Sequence, residues 1–575
     1  MNKIRPIILA VVVVLSALLA YGLFFTLPSP QPADAEGFSA ARVVKDIEVM
    51  SKEHHSVAHP VERAKVREYL IGRLQELGAD TVQVFRYDSI VGPKNRHVEY
   101  VFDAHNIVAD FAPLTETEGK PAELLFVAHY DSRYSHPYGR DTVWSYGAAD
   151  DGYGVGVTLE TVSQLLKERS EWKQGVKVLF TDAEEVGMMG MTAIWENDRQ
   201  VFDNVGLMIN LEARGPWGPA LLFEACPGND KVMDLYASAS KYHYTYSLTT
   251  VVYNFMPNFT DFTIVKDSIP GLNFSTITDV NRYHTHYDNF GNISEKSIQH
   301  YGVQVLPLAA KYLKGEEYAA VDALKSDNDV VNFTIPALGL FNFSKVGYLI
   351  FNVIVFLLFL VLFGIEGVRG RLKASKVFVK SAIVLASALG VLVLGEVVAY
   401  ICGAIAGVAF KPFGVMQAIE FDNVAMIISA LLMVLISIAV YMSARAKAVR
   451  LTSGSMRASA AHNAAKGHAF NALYGSLALV FILSVVLLIA LGENMMFIIP
   501  LTIATVAMIL YHVTGVRIWL PVAIAMILLH VFSFYYALAM ALTIGALGAV
   551  LMLAFFDVMI LIPLADLYLM PNKKK

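Results

Sequence analysis

Cysteine is nearly absent from this chain. Only Cys226, in a polar stretch, and Cys402, inside an apolar one, occur among 575 residues. That excludes a disulfide framework and a thiolate metal site. Charge is scarce as well. Asp, Glu, Lys and Arg make up 17% of the residues, against about 25% in an ordinary soluble domain. Neither sign dominates, with 45 basic and 50 acidic residues and a formal net charge of -5. Such a balance excludes nucleic acid as an expected partner. Hydrophobic sequence takes the place of charge, at 55% of the chain, and it is unevenly spread. Residues 38 to 330 have the composition of a globular protein, whereas 346 to 570 are apolar with short polar interruptions.

Runs long enough to cross a bilayer lie at roughly 6–27, 346–365, 377–402, 423–443, 470–491, 494–513, 517–537 and 540–563. That predicts eight spans, one N-terminal and seven C-terminal, in a lipid bilayer. Basic residues cluster between them: Lys3 and Arg5; Arg369, Arg371, Lys373 and Lys376; Arg445, Lys447, Arg450, Arg457 and Lys466; Arg517; and Lys573 to Lys575. Eight alternating passes put all of these on one side, which the positive-inside tendency makes cytoplasmic. Residues 28–345, the 403–422 loop and the short Gly-Glu-Asn turn then face the exoplasmic side. The basic loops are read as topology signals, not as binding patches. The first run is read as an uncleaved anchor, although Ala33-Asp34-Ala35 resembles a cleavage site. Glu396, His530 and Asp557 fall within spans, where an ionisable group is a functional candidate by default; a place near a helix end or a pairing inside the bundle explains them more simply. The expected division is an anchor and linker at 1–37, an exoplasmic domain at 38–315, a linker at 316–345 and a seven-helix transmembrane domain at 346–575.

In the polar half, helical and strand periodicities alternate. "VERAKVREYLIGRLQELG", "YGVGVTLETVSQLLKER", "MMGMTAIWEN" and "SEKSIQHYGVQVLPLAAKYL" read as helices. "DTVQVFRYD", "VEYVFDAHNIVADF", "AELLFVAHYDS", "VKVLFTDAEE", "VGLMINLEARG", "PALLFEA", "LTTVVYN" and "GLNFSTI" read as strands. The alternation predicts an α/β fold with a mostly parallel central sheet flanked by helices, and ligands in such sheets gather at the carboxyl ends of the strands.

The polar oddities sit at those ends: His129 and Asp131, Asp150 and Asp151, Glu184 and Glu185, Glu212, and His284, His286 and Asp288. Taken singly, each reads as a surface histidine, a helix N-cap or a dipole partner. Gathered at one rim, several carboxylates would repel and raise one another's pKa values. A pair of divalent cations removes that difficulty. Two zinc ions need a bridging carboxylate plus a terminal carboxylate and a histidine each. The segments supply that set and leave one glutamate free as a general base.

These five segments, in this order, resemble the co-catalytic dizinc peptidase family of aminopeptidases and glutamate carboxypeptidase. The resemblance covers roughly residues 38–315, including "HHSVAHPVERAKVREYL". The multi-span tail makes the chain most similar to the membrane-anchored branch of Fxna-like endoplasmic reticulum metallopeptidases and vacuolar membrane proteases. The resemblance implies a zinc-peptidase fold and two Zn2+ per chain. His129 and Glu212 would ligate one ion, Glu185 and His284 the other, with Asp150 as the bridge. Glu184 would be the base, and Asp131 would orient His129 through its second ring nitrogen. His284 is preferred to His286 because it precedes Thr as in the family's Tyr-His-Thr motif. A cis peptide is implied at Asp150–Asp151, while Arg214 and Tyr283 are either substrate contacts or local packing. The activity implied is hydrolysis of peptide substrates by a membrane-bound aminopeptidase. Carboxypeptidase or dipeptidase action stays open, as do a one-zinc glutaminyl cyclase, a non-catalytic receptor or sensor domain, and an oligomer.

Overall fold

The computed structural model describes residues 4–25, 27–92, 101–114, 120–135, 143–256, 258–336, 338–411, 414, 417–453 and 458–571. The chain divides into two compact units, Phe25–Thr334 with Gly339–Lys345, and Met1–Phe24 with Ile335–Leu338 and Val346–Lys575.

After helix α1 (Ile4–Phe25), the first of these units opens with α2 (Ala40–Met50) and α3 (Pro60–Glu76), then strands β1 (Thr81–Val91), β2 (Val101–Phe111) and β3 (Glu123–His129). A short hairpin of β4 (Tyr134–Ser135) and β5 (Val143–Trp144) precedes α4 (Gly152–Leu165), β6 (Gly175–Thr181), α5 (Met189–Asn197), β7 (Val205–Ala213) and β8 (Leu221–Ala225). Helices α6 (Asp230–Ala239), α7 (Ser247–Asn254) and α8 (Asp261–Val265) lead to β9 (Gly271–Thr276) and α9 (Glu295–Lys314), and a second hairpin pairs β10 (Val330–Ile335) with β11 (Gly339–Ser344).

Seven strands form one sheet in the order β1-β2-β6-β3-β7-β9-β8. The central four run parallel and the outer strands antiparallel. Every residue of β6, β7 and β9 is buried, and so is all of β3 after Glu123. Both faces are therefore covered, as continuous apolar strands require. Helix α4 packs on β3 and β7, with α2 and α9 against it. Gly156 allows the close approach of α2, since a Cβ there would sit 2.7 Å from Val43 Cγ1.

One expected strand is a helix. "LTTVVYN" lies in α7, despite its β-branched run. The edge of β8 explains the override: the Thr249 and Thr250 hydroxyls each donate to the Phe223 carbonyl at 3.0 Å. Tertiary hydrogen bonding outweighs a propensity difference of a few tenths of a kcal/mol.

The other unit contains α10 (Lys345–Val368), α11 (Ala374–Ile405), α12 (Asp422–Ser453), α13 (Ala458–Leu491), α14 (Met495–Thr514), α15 (Trp519–Leu542) and α16 (Leu547–Leu569). Among the described residues these seven are long and apolar enough to cross a membrane. Glu396 Oε1 accepts from Gly548 N at 3.2 Å, so this carboxylate is paired inside the bundle. His530 and Asp557 are fully enclosed. Arg5 donates to the Met570 carbonyl at 2.6 Å and Arg517 to the same oxygen, which brings the ends of α1 and α16 together.

Candidate metal centre

The parallel strands deliver the polar residues to one rim. His129 ends β3, Glu212 lies one residue from the end of β7, Glu184 and Glu185 follow β6, and His284 follows β9. Asp150 precedes α4 across a cis peptide to Asp151. Asp151 is the N-cap of α4, accepting from Gly154 N at 2.9 Å, and it also accepts from His129 N at 3.3 Å. The same carboxylate therefore starts the helix and fixes the end of the strand beside it.

Two triads form around Asp150. His129 Nε2 lies 3.2 Å from Asp150 Oδ1 and 3.7 Å from Glu212 Oε2. His284 Nε2 lies 3.3 Å from Asp150 Oδ2 and 3.1 Å from Glu185 Oε2. Within each triad one donor atom per residue falls within 4.8 Å of the others. Asp150 is common to both and turns one oxygen to each histidine. His286 is exposed and packs on Tyr287 instead.

The turn carrying the two glutamates is held from several sides. Ala183 has φ of 57° and Met188 of 57°, both in the left-handed region. Asp131 Oδ1 accepts from Glu184 N at 2.9 Å and its Oδ2 from Glu185 N at 3.3 Å. The His129 Nδ1 contact runs to the Asp131 carbonyl at 2.9 Å, with the Asp131 carboxylate farther away at 3.6 Å. Just upstream, Asp182 pairs with buried Arg63 of α3 at 3.1 Å and accepts from His105 N at 2.8 Å. Arg133 Nη1 lies 3.2 Å from Glu185 Oε2 and also donates to the Glu185 carbonyl. Asp288 holds the loop before α4, accepting from Ala149 N at 2.7 Å and from Ser145 Oγ at 2.9 Å.

Sequence reasoning did not single out Arg63, Arg133 or Asp182. Arg133 stands four residues after His129, but only the fold brings it to Glu185, and the Arg63–Asp182 pair joins residues 119 positions apart.

Electrostatics at the rim are strained. Burial, offset in part by His129 and then reinforced by neighbouring carboxylates, pushes both Glu184 and Glu212 well above the usual range. Burial and the charge of Asp150 push Asp288 up to about 7. Burial opposes ionisation of Asp150 too, but the neighbouring His129 and His284 imidazoles outweigh it and hold this carboxyl low. Three buried polar atoms, Asp150 Oδ2, Glu185 Oε1 and His284 Nε2, have no hydrogen-bond partner. Buried polar atoms are rarely left so, and these three all belong to the second triad. Two imidazoles and three carboxylates with such orphaned atoms are a donor set that suits zinc. Beside them Arg214, at the end of β7, has Nε and Nη2 buried without a partner. Tyr283 stacks on His284 at 3.6 Å between ring centroids.

Residues 106–309 match Peptidase family M28. The chain is 28% identical over 272 residues to a vacuolar membrane protease of Lodderomyces elongisporus, covering 44% of this chain and 26% of that protein. It is 27% identical over 293 residues to endoplasmic reticulum metallopeptidase 1 of Homo sapiens, covering 50% and 30% respectively. The matches thus span under a third of the length of these curated relatives. Among solved structures, a Zn-dependent exopeptidase from Parabacteroides distasonis aligns with 18% identity over 49% of this chain and 99% of that one, with a TM-score of 0.37.

Proposed function

From the premise that this chain carries a Peptidase family M28 domain, we propose that it is a membrane-bound, zinc-dependent exopeptidase that acts as an aminopeptidase. The observation that carries the reading is the pair of triads sharing Asp150. His129 and Glu212 would hold one zinc ion, Glu185 and His284 a second, and Asp150 would bridge them. The choice of aminopeptidase follows the family resemblance stated above.

Bound zinc would supply Lewis acidity, acidifying water and polarising the scissile carbonyl. The chain's own groups do the rest. Glu184 belongs to neither triad and has a carboxyl raised by burial and by its anionic neighbours. It accepts a proton from the attacking water and returns that proton to the leaving amine. Asp131 holds the Glu184 and Glu185 amides, and so aims both side chains. Arg133 neutralises Glu185 from outside the triad. Arg214 and Tyr283 line the approach to the rim and contact substrate.

The catalytic domain is exoplasmic: periplasmic or extracellular in a bacterium, lumenal in a eukaryote. Eight spans put both termini in the cytoplasm, and the bonds of Arg5 and Arg517 to the Met570 carbonyl support a common side for the two ends.

Glu184→Gln tests the mechanism. Turnover of aminoacyl reporter substrates is expected to fall by about 10²- to 10⁴-fold with zinc content unchanged. Loss of zinc from this variant would place Glu184 among the ligands and overturn its role as base.

A further inference from the structure

Two cavities meet in the helical unit. One, of about 820 Å³, is lined by Arg371, Lys373, Lys376 and Lys447. The other, of about 500 Å³, lies between α11 and α12 over α13 and α16 and has apolar walls that include Val391, Leu394 and Phe555. Lys380 and His468 line both, so the two form one crevice with a basic end and an apolar limb. No acidic residue is among the described residues lining either part.

The lysines at the basic end are uncompensated. Arg371 is neutralised by Glu366 at 3.0 Å. Lys373, Lys376, Lys380 and Lys447 have no carboxylate within ion-pair distance among the described residues. At the junction, His468 is only 8% exposed, and its Nε2 has no hydrogen-bond partner. Lysines at a membrane interface favour anions, and a buried imidazole nitrogen without a partner is costly. The apolar limb is lined by α11 from Lys380 to Val398, about 27 Å of helix. That exceeds the depth of one leaflet, about 15 Å.

We infer that this crevice is a binding site for an anionic phospholipid, with the headgroup phosphate on Lys376, Lys380, Lys447 and His468 and an acyl chain in the limb between α11 and α12. A zwitterionic lipid would bring its own cation into the lysine cluster and leave the positive charge uncompensated, and a free anion would leave the limb unfilled. Only a ligand charged at one end and apolar along the other satisfies both parts. The inference rests on the helical unit alone and stands apart from the peptidase chemistry.

Gly390 offers a selective probe. It lines the apolar limb, and a Cβ built there meets no atom within 4 Å, so a side chain can branch from this position without a clash at its first carbon. The test is native mass spectrometry of the full chain in a neutral detergent, titrated with phosphatidylglycerol, phosphatidylcholine or inorganic phosphate. Phosphatidylglycerol is expected to bind near one per chain, and phosphatidylcholine at least tenfold more weakly. Replacing all three of Lys376→Gln, Lys380→Gln and Lys447→Gln is expected to weaken phosphatidylglycerol roughly 100-fold, since each basic side chain near the surface contributes about a factor of five. Replacing the exposed Lys45, Lys52 and Lys241, which do not line the crevice, by Gln removes the same charge elsewhere and should leave binding unchanged. Gly390→Phe should abolish lipid binding while the unfolding temperature holds. Equal binding of the two lipids would overturn the inference, as would equal effects of the two lysine sets. Full displacement of the lipid by inorganic phosphate would make the site an anion site and overturn the lipid assignment. Unchanged binding in Gly390→Phe would remove the acyl limb.

Discussion

Asp131 uses both carboxylate oxygens on the backbone amides of Glu184 and Glu185, and its carbonyl, not its carboxylate, is the nearer partner of His129 Nδ1. It therefore acts at once on two segments that carry proposed ligands. Asp131→Ala is expected to lower zinc affinity by about 10- to 100-fold, measured by competition with a chromogenic chelator; unchanged affinity would contradict this positioning role. At this scale the sequence was informative because the residue types in five segments could be enumerated without a fold. The geometry around them was not legible. Nothing in "HYDS" distinguishes a carboxylate contact to the imidazole from a carbonyl contact, and nothing in the helical pattern of "VERAKVREYL" around Arg63 announces its pairing with Asp182. Such choices depend on tertiary distances that no local spacing encodes.

Elements were readable where periodicity and burial agree. The buried strands β3, β6, β7 and β9 appear as apolar runs because both faces are covered. Helix α7 was not readable, because its β-branched composition points one way and its hydrogen bonds to the β8 edge point the other. Helix α9 carries a pH-dependent prediction. Buried His300 accepts from Ala220 N at 3.0 Å, with Gln304 Nε2 also 3.0 Å from the same Nδ1. Burial lowers its pKa to about 3. A folded value below the unfolded value of 6.5 means that His300 stabilises the fold fully above pH 6.5. That contribution is lost as pH falls toward 3, at up to about 1.4 kcal/mol per pH unit. His300→Gln should flatten the acid limb of stability between pH 6 and 4 in thermal unfolding of the detergent-solubilised chain. An unaltered slope would contradict the assignment.

The whole molecule joins a domain of ordinary composition to a bundle with few charges, and the proposed topology rests on where the lysines and arginines fall. Arg445 pairs with Asp566 at 2.7 Å and Arg371 lies 3.2 Å from His512 Nδ1, so the basic connections gather with the ends of α14 and α16. In a chain freed of Cys226 and Cys402, a cysteine at exposed Ser375 is expected to be shielded from an impermeant maleimide in intact cells, and one at exposed Ala409 to react. The opposite pattern would invert the bundle and put the catalytic rim in the cytoplasm.

All of the proposed chemistry depends on the rim around Asp150 being a two-cation site. Elemental analysis of the purified full chain measures this directly. The account predicts two zinc ions per wild-type chain, about one after His284→Ala and fewer than one after Asp150→Ala. A wild-type chain that holds a single zinc ion under saturating metal, unaffected by loss of His284, would contradict it.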